Sequence, residues 1–208
     1  MKQLFSLLAG VFLLAGNAFS ADEAPDVLVK RVTEEVLTIV RTDKDIQCGN
    51  SKKAIELVET KVLPHFNFLR MTSLAVGKDW NKASPEQKKR LAKEFETLLV
   101  RTYSNALTAY KSQTIVYKPL KMQPGDTDVL VRTEIRQPGQ QAVQLDYGVE
   151  KQDNGAWKVY DVVVAGISLV TNYRETFAQE VRNGGIDGLI TTLADKNKQV
   201  DAKNEKKS

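Results

Sequence analysis

The sequence predicts an α+β domain in which helices cover one face of a four-stranded antiparallel sheet. Two patterns and their order in the chain lead to this prediction. Apolar residues recur at helical spacing before residue 112 and after residue 168. Between these parts, apolar and polar residues alternate in four short segments that are separated by turn sequences rich in Pro, Gly, Asp and Asn. Helices grouped apart from an antiparallel sheet are typical of the α+β class.

Four helices are predicted in the N-terminal part, at residues 27–41, 51–63, 69–76 and 85–111. The first carries an apolar stripe that includes Leu28, Val32 and Val36 and is therefore predicted to be an amphipathic helix. The fourth follows Ser84, which can pair with Gln87 to satisfy the first backbone N–H groups. At about 1.5 Å per residue, this fourth helix would be about 40 Å long.

Four strands are predicted at residues 114–121, 128–136, 141–151 and 156–165, and helices follow at 168–183 and 185–196. The strands alternate so that the sheet has one apolar and one polar face. The last strand differs, because residues on both of its faces are apolar after Asp161. Such a strand is either covered on both sides or lines a cavity.

The N-terminal residues have the features of a secretory signal. Lys2 precedes an apolar run of about a dozen residues, which is too short to cross a bilayer, and a small-residue cleavage site ends at Ser20. We therefore expect residues 1–20 to be a signal peptide cleaved after Ser20, and residues 21–195 to form one domain. Residues 196–208 are rich in lysine and are predicted to be a basic, disordered tail.

The charge and the residues suited to catalysis exclude several function classes. The net charge of +4 comes from the signal and the tail, so the domain is neutral and no nucleic-acid surface is expected. Cys48 is the only cysteine and His65 the only histidine, which excludes an internal disulfide and a zinc site of ordinary ligand count. We expect Cys48 to be partly buried beside a turn. The sequence has no phosphate-binding glycine loop or nucleophile elbow, so we expect no enzyme, metal or cofactor.

Several segments resemble the MlaC family, which is also known from toluene tolerance. The resemblance covers nearly all of residues 21–195. It is most specific in Gly77-Lys78-Asp79-Trp80, Trp157-Lys158-Val159-Tyr160-Asp161, Gly166-Ile167-Ser168-Leu169-Val170 and Gly185-Ile186-Asp187-Gly188-Leu189-Ile190. Two residues depart from the pattern, because Asn67 and Ala165 stand where many relatives have an acidic residue.

The resemblance implies a soluble, monomeric periplasmic carrier of glycerophospholipid that performs no enzymatic step. It implies transport between an outer-membrane lipoprotein–porin complex and an inner-membrane ABC transporter that bears an MCE-domain protein. A two-chain phospholipid has on the order of 30 methylenes, each worth about 0.8 kcal/mol of transfer from water. Its chains therefore need an apolar enclosure, and the resemblance implies one between the sheet and the helices.

We expect the wall of this enclosure to come from the long helix, the sheet and the later helices. The predicted lipid-binding residues are Phe95, Leu99, Tyr103, Leu107, Tyr110, Val131, Leu145, Tyr147, Val149, Val162, Val164, Ile167, Leu169, Val170, Tyr173 and Phe177. Each of them could instead be packed core, and Arg101 or Arg174 could contact the phosphate. The alternative functions are an exported interaction or chaperone module with a filled core, and an enzyme with a small pocket. Lipid extracted from the purified protein would favour the carrier.

Overall fold

A computed structural model describes residues 23–205, so the predicted signal peptide at residues 1–20 lies outside the described residues, as do residues 206–208. The helices are α1 (Pro25–Thr42), α2 (Lys44–Gln47), α3 (Ser51–Lys61), α4 (Phe68–Val76), α5 (Pro85–Tyr103), α6 (Asn105–Thr108) and α7 (Arg174–Glu205). The strands are β1 (Thr114–Tyr117), β2 (Asp128–Arg136), β3 (Val143–Lys151), β4 (Trp157–Val164) and β5 (Ile167–Ser168). None of the described helices is long and apolar enough to cross a membrane.

The predicted α+β class is confirmed, with five strands rather than four. The strands follow one another in the order β1-β2-β3-β4-β5, and each is antiparallel to the next. Strand β1 ends at Tyr117, earlier than predicted. Strand β5 is added because Ala165 and Gly166 both have positive φ, which turns the chain back onto β4 in two residues.

Alternation along the strands places apolar side chains on one face of the sheet, and α1 lies on that face. Leu28 and Val29 of α1 are buried against a cluster that includes Val149 and Val159. A second cluster lies between α1, α2 and α3 and contacts Leu107 and Tyr110. The third and largest cluster joins α4, α5 and α7, and Phe66 packs against both this cluster and the one on the sheet.

The segment before α4 is attached to the outer edge of the sheet. Phe66 forms a β-bridge with Val159, and the Asn67 backbone N–H donates to the Val159 carbonyl at 2.8 Å. The Asn67 side chain caps α4 and donates through its amide nitrogen to the Glu150 carboxylate at 2.9 Å. Aspartate at position 67 would repel that carboxylate, so the departure from the family pattern has a local reason.

The long helix predicted at residues 85–111 is interrupted. Helix α5 ends at Tyr103, and the buried Ser104 donates its hydroxyl to the Val100 carbonyl at 2.6 Å. Such a bond competes with the regular backbone ladder. The next backbone bond, from Leu107 N–H to the Ser104 carbonyl, spans three residues and tightens the turn before α6. The predicted long helix is therefore divided into α5 and α6.

The last helix confirms one prediction and corrects another. Gly185 is non-helical, with φ 67°, and divides α7 where the sequence predicts a break between two helices. The predicted disorder of residues 196–208 is wrong for residues 196–205, which are helical. The lysine-rich composition suggested disorder because it carries no information about the long-range contacts of this segment with α5. The buried Asn197 donates to the Glu94 carboxylate at 2.7 Å, and Arg101 pairs with Asp201 at 2.7 Å.

A β-bulge on β4 depends on the absence of a side chain at Gly148. Gly148 pairs with Asp161 and Val149 with Val159, so Tyr160 is the extra residue and has no partner on β3. The Tyr160 ring lies over Gly148, where a Cβ would come within 2.9 Å of the ring, and its hydroxyl donates to Asp128 at 2.8 Å.

We predict that Gly148→Ala lowers the free energy of unfolding by about 1–3 kcal/mol, as overpacking does elsewhere. Chemical denaturation measures the change. Gly184→Ala is the matched control, because a Cβ at this helical position meets no atom within 4 Å. The same Gly148→Ala change should lower the free energy of unfolding by less in a Tyr160→Ala background. An equal loss of free energy in both backgrounds would contradict the proposed clash.

Candidate functional site

An apolar cavity of about 430 Å³ lies between the apolar face of the sheet and helices α1 and α6. Its volume is within the range of about 300–1,000 Å³ that is usual for ligand pockets. The cavity is lined by Leu28, Val29, Val32, Thr33, Val36, Leu37, Val62, His65, Phe66, Ala106, Leu107, Ala109, Tyr110, Gln113, Ile115, Ile135, Leu145, Tyr147 and Val159.

Small side chains contribute to the space. Ala106 of α6 and Ala109 after it lie on the cavity wall. Their methyl groups extend much less far than the side chains of Leu107 and Tyr110 beside them. Leu28 and Val29 of α1 pack in the cluster on the sheet and also line the cavity, so α1 covers the apolar face without filling it.

No lining residue carries a formal charge at neutral pH. Burial lowers the pKa of His65, and the nearby Arg31 guanidinium lowers it further, so the imidazole is neutral. Burial raises the pKa of Tyr147 to about 12, with a smaller opposite effect from its contact with the Thr33 hydroxyl. The remaining lining residues are apolar, or are uncharged Thr33, Tyr110 and Gln113. Such a wall suits an aliphatic chain better than a polar substrate.

Four of the sixteen predicted lipid-binding residues line this cavity: Leu107, Tyr110, Leu145 and Tyr147. The structure brings these four residues together from α6, the segment after it and β3, and side chains of α1 line the same cavity.

The other twelve lie elsewhere in the fold, so the structure does not bring the predicted wall together. Val131, Val149 and Val162 pack in the cluster under α1 but do not line the cavity. Phe95, Leu99, Val170, Tyr173 and Phe177 belong to the cluster of α4, α5 and α7. Val164 and Leu169 are half-buried outside the lining, while Tyr103 and Ile167 are 40% and 61% exposed. Helical and strand periodicity identifies the apolar side of an element but not the element that it faces.

The Phe95 ring illustrates why the cluster of α4, α5 and α7 is packed core. Its centroid lies 5.1 Å from those of both Tyr173 and Phe177, in edge-to-face contacts. Phe95 and Phe177 are almost completely buried. Aromatic side chains in this arrangement fill space and stabilise each other, so they leave no room for a ligand.

The largest group of lining residues missed by the sequence prediction comes from α1. Its side chains at positions 28, 29, 32, 33, 36 and 37 face the cavity. The amphipathic stripe of this helix was the available signal, but the stripe alone does not distinguish a cavity wall from ordinary core. His65, Phe66, Ala106 and Ala109 were also missed, and their positions in loops or at helix ends carry no periodic pattern.

Neither arginine expected near a phosphate faces the cavity. Arg101 pairs with Asp201, and the Arg174 guanidinium donates two hydrogen bonds to the Leu74 carbonyl at 3.0 and 3.1 Å. Both therefore join α7 to other helices. Cys48 is exposed in the loop after α2, so the expectation that it is partly buried is wrong.

We predict that the free energy of unfolding falls between about pH 10 and pH 12 and that Tyr147→Phe makes this fall smaller. Unfolded tyrosine ionises near pH 10, whereas folded Tyr147 remains protonated up to about pH 12. The unfolded state binds fewer protons in this window, so stability decreases as pH rises. Denaturation at pH 8, 10 and 11 compares the two proteins, and equal slopes would contradict the prediction. Tyr160, whose pKa is also about 12, keeps part of the slope in the variant.

The chain is similar to known proteins along almost its whole length. A family model described as MlaC protein matches residues 30–195. The intermembrane phospholipid transport system binding protein MlaC of Haemophilus influenzae is 29% identical to this chain. The match covers 93% of this chain and 92% of that protein. The toluene tolerance protein ttg2D of Pseudomonas putida is 27% identical. The match covers 99% of this chain and 96% of that protein.

A solved structure agrees with the sequence relatives. It is the phospholipid-binding protein of Ralstonia solanacearum in complex with a phospholipid, with a TM-score of 0.78 and 39% identity. The match covers 84% of this chain and 97% of that one. The family model spans well over half of the chain, and the fold agrees with that of a relative. The chain therefore belongs to the MlaC family.

Proposed function

We propose that this protein is a soluble periplasmic carrier that binds the acyl chains of a glycerophospholipid in the cavity between the sheet, α1 and α6. The observation that carries this proposal is the uncharged, apolar cavity of about 430 Å³. The similarity to a protein whose structure contains a phospholipid supports the choice of ligand. The predicted signal peptide supports export.

The energy of transfer favours such a ligand. Each methylene that moves from water into an apolar site contributes about 0.8 kcal/mol. The apolar wall of the cavity, with a volume of about 430 Å³, can take such methylenes out of water.

We further propose that the lipid passes between an outer-membrane lipoprotein–porin complex and an inner-membrane ABC transporter with an MCE-domain protein. Membership of the MlaC family supports this route. The carrier performs no reaction on its cargo. The only histidine lines the cavity, whereas the only cysteine is exposed on the loop after α2, and the lining contains no carboxylate that could act as a base.

We predict that the protein purified from periplasm contains diacyl phospholipid in a one-to-one complex. Native mass spectrometry measures the mass of the complex, and organic extraction identifies the lipid. A mass equal to that of the bare polypeptide, unchanged after incubation with phospholipid vesicles, would contradict the carrier. That result would instead favour an exported interaction module whose apolar faces bind protein.

We predict that Ala109→Trp lowers the amount of bound phospholipid several-fold, because the indole fills space that the acyl chain needs. Lipid phosphorus per mole of protein is the measurement. Ala202→Trp is the control, since Ala202 is exposed on α7 and does not line the cavity. Unchanged lipid content in a folded Ala109→Trp protein would show that the ligand lies elsewhere.

A further inference from the structure

A second, polar cleft adjoins the apolar cavity. It lies between α1 and β1, has a volume of about 390 Å³ and is lined by Glu34, Thr38 and Arg41 of α1 with Thr114 and Tyr117 of β1. Leu37 and Ile115 line both the cleft and the cavity. The two spaces are therefore neighbours, and a single amphiphilic molecule could extend from one into the other.

The Arg41 side chain is positioned at the boundary between them. Its Nη2 donates to the Tyr110 hydroxyl at 2.6 Å, and its guanidinium carbon lies 5.5 Å from the centre of the Tyr110 ring. Tyr110 lines the cavity, and its hydroxyl donates to the Gln113 carbonyl at 2.5 Å. The contact with Tyr110 thus orients the guanidinium at the end of the apolar wall.

Arg41 retains donors for a further acceptor. A guanidinium has five N–H donors, and the contact with Tyr110 uses only part of this set. Among the residues that the structure describes, no carboxylate forms an ion pair with Arg41. The acidic residue of the cleft, Glu34, lies 3.9 Å from the Lys30 ammonium. Arg41 is therefore the cationic side chain of the cleft lining and has no carboxylate partner among the described residues, while Glu34 is the anionic one.

Tyr117 supplies a second donor on the wall of the cleft, toward the Lys30 end of α1. Its hydroxyl oxygen is buried and makes no well-formed hydrogen bond to a described residue. The Thr33 hydroxyl is close enough to affect the pKa of both Tyr117 and Tyr147, so three hydroxyl groups lie near one another between α1 and the sheet. Burial raises the pKa of Tyr117, which keeps the hydroxyl protonated. A buried hydroxyl without a partner is unfavourable, and an acceptor from a ligand would relieve it.

We propose that the cleft between α1 and β1 binds the polar end of a phospholipid whose acyl chain lies in the cavity. Arg41 donates to the phosphate oxygens, and the Tyr117 hydroxyl donates to an ester carbonyl. This inference rests on the proposed carrier function and assigns the orientation of the lipid. An ester carbonyl lies between phosphate and acyl chain in a glycerophospholipid, and Arg41 and Tyr117 both stand on the wall of the cleft beside the cavity. Guanidinium groups bind phosphate oxygens with two parallel hydrogen bonds.

The test compares lipids with and without a phosphate. Lipid-free wild-type protein and Arg41→Gln are incubated with vesicles of phosphatidylglycerol, or with dispersed diacylglycerol of the same chains, and bound lipid is quantified. We expect Arg41→Gln to bind about tenfold less phosphatidylglycerol and an unchanged amount of diacylglycerol. Arg41→Lys should be intermediate, because it keeps the charge and loses the planar pair of donors. Arg90→Gln, at an exposed position of α5, is the control and should match wild type.

The outcomes separate this inference from the proposed function. Equal phosphatidylglycerol binding by wild type and Arg41→Gln would overturn the headgroup site and leave the carrier intact. Equal loss of both lipids in Arg41→Gln would also overturn it, since Arg41 would then shape the cavity. No binding of either lipid by wild type would overturn the carrier itself. Saturable, Arg41-dependent binding of inorganic phosphate by lipid-free protein would assign the cleft to free phosphate instead.

A second variant tests the contact with the ester. Wild type should bind diester phosphatidylglycerol several-fold better than the diether analogue, which lacks carbonyl acceptors. Tyr117→Phe should remove this preference while its thermal unfolding remains close to that of wild type, because the ring is kept and a buried unpaired hydroxyl is removed. A diester preference that persists in Tyr117→Phe would overturn the assignment of Tyr117.

Discussion

The structure depends on how α1 covers the apolar face of the sheet. Leu28 and Val29 of the helix pack against buried valines of β2, β3 and β4, and they also line the apolar cavity. Farther along, the same face of α1 meets the sheet and the segment after Ser104 across that cavity. The apolar surface must be removed from water to stabilise the fold. Here the protein's own side chains leave part of this surface facing the cavity.

The unfilled space is tolerated because another part of the chain is densely packed. Helices α4, α5 and α7 bury a continuous cluster around Phe95, Phe177 and Leu189, to which none of the described cavity residues except Phe66 contributes. An apolar cavity costs stability in proportion to its volume. The cluster can supply this stability without filling the cavity, and a ligand that binds only the folded state adds to it by mass action.

The polarity of α1 changes along its length in the way that an amphiphile requires. Its uncharged side chains from Leu28 to Leu37 line the cavity, whereas Glu34, Thr38 and Arg41 line the cleft toward its C-terminal end. One helix therefore contacts both spaces, and Tyr110 connects them through its ring and its hydroxyl. This arrangement would explain how a carrier without a charged pocket still selects the end of the lipid that remains near water.

Sequence alone determined the local structure and the family. Alternation predicted the antiparallel sheet, Ser84 and Gln87 predicted the start of α5, and Gly185 predicted the break in α7, because each depends on neighbouring residues. Tertiary structure decided which apolar residues line a cavity. Phe95 and Leu107 belong to one periodic pattern, yet one is packed core and the other is cavity wall, because Phe95 faces α4 and α7 whereas Leu107 faces α1, α2 and α3. Tertiary structure also decided that residues 196–205 are helical, because they contact α5. Periodicity identifies an apolar side, but only the facing elements determine whether that side is filled.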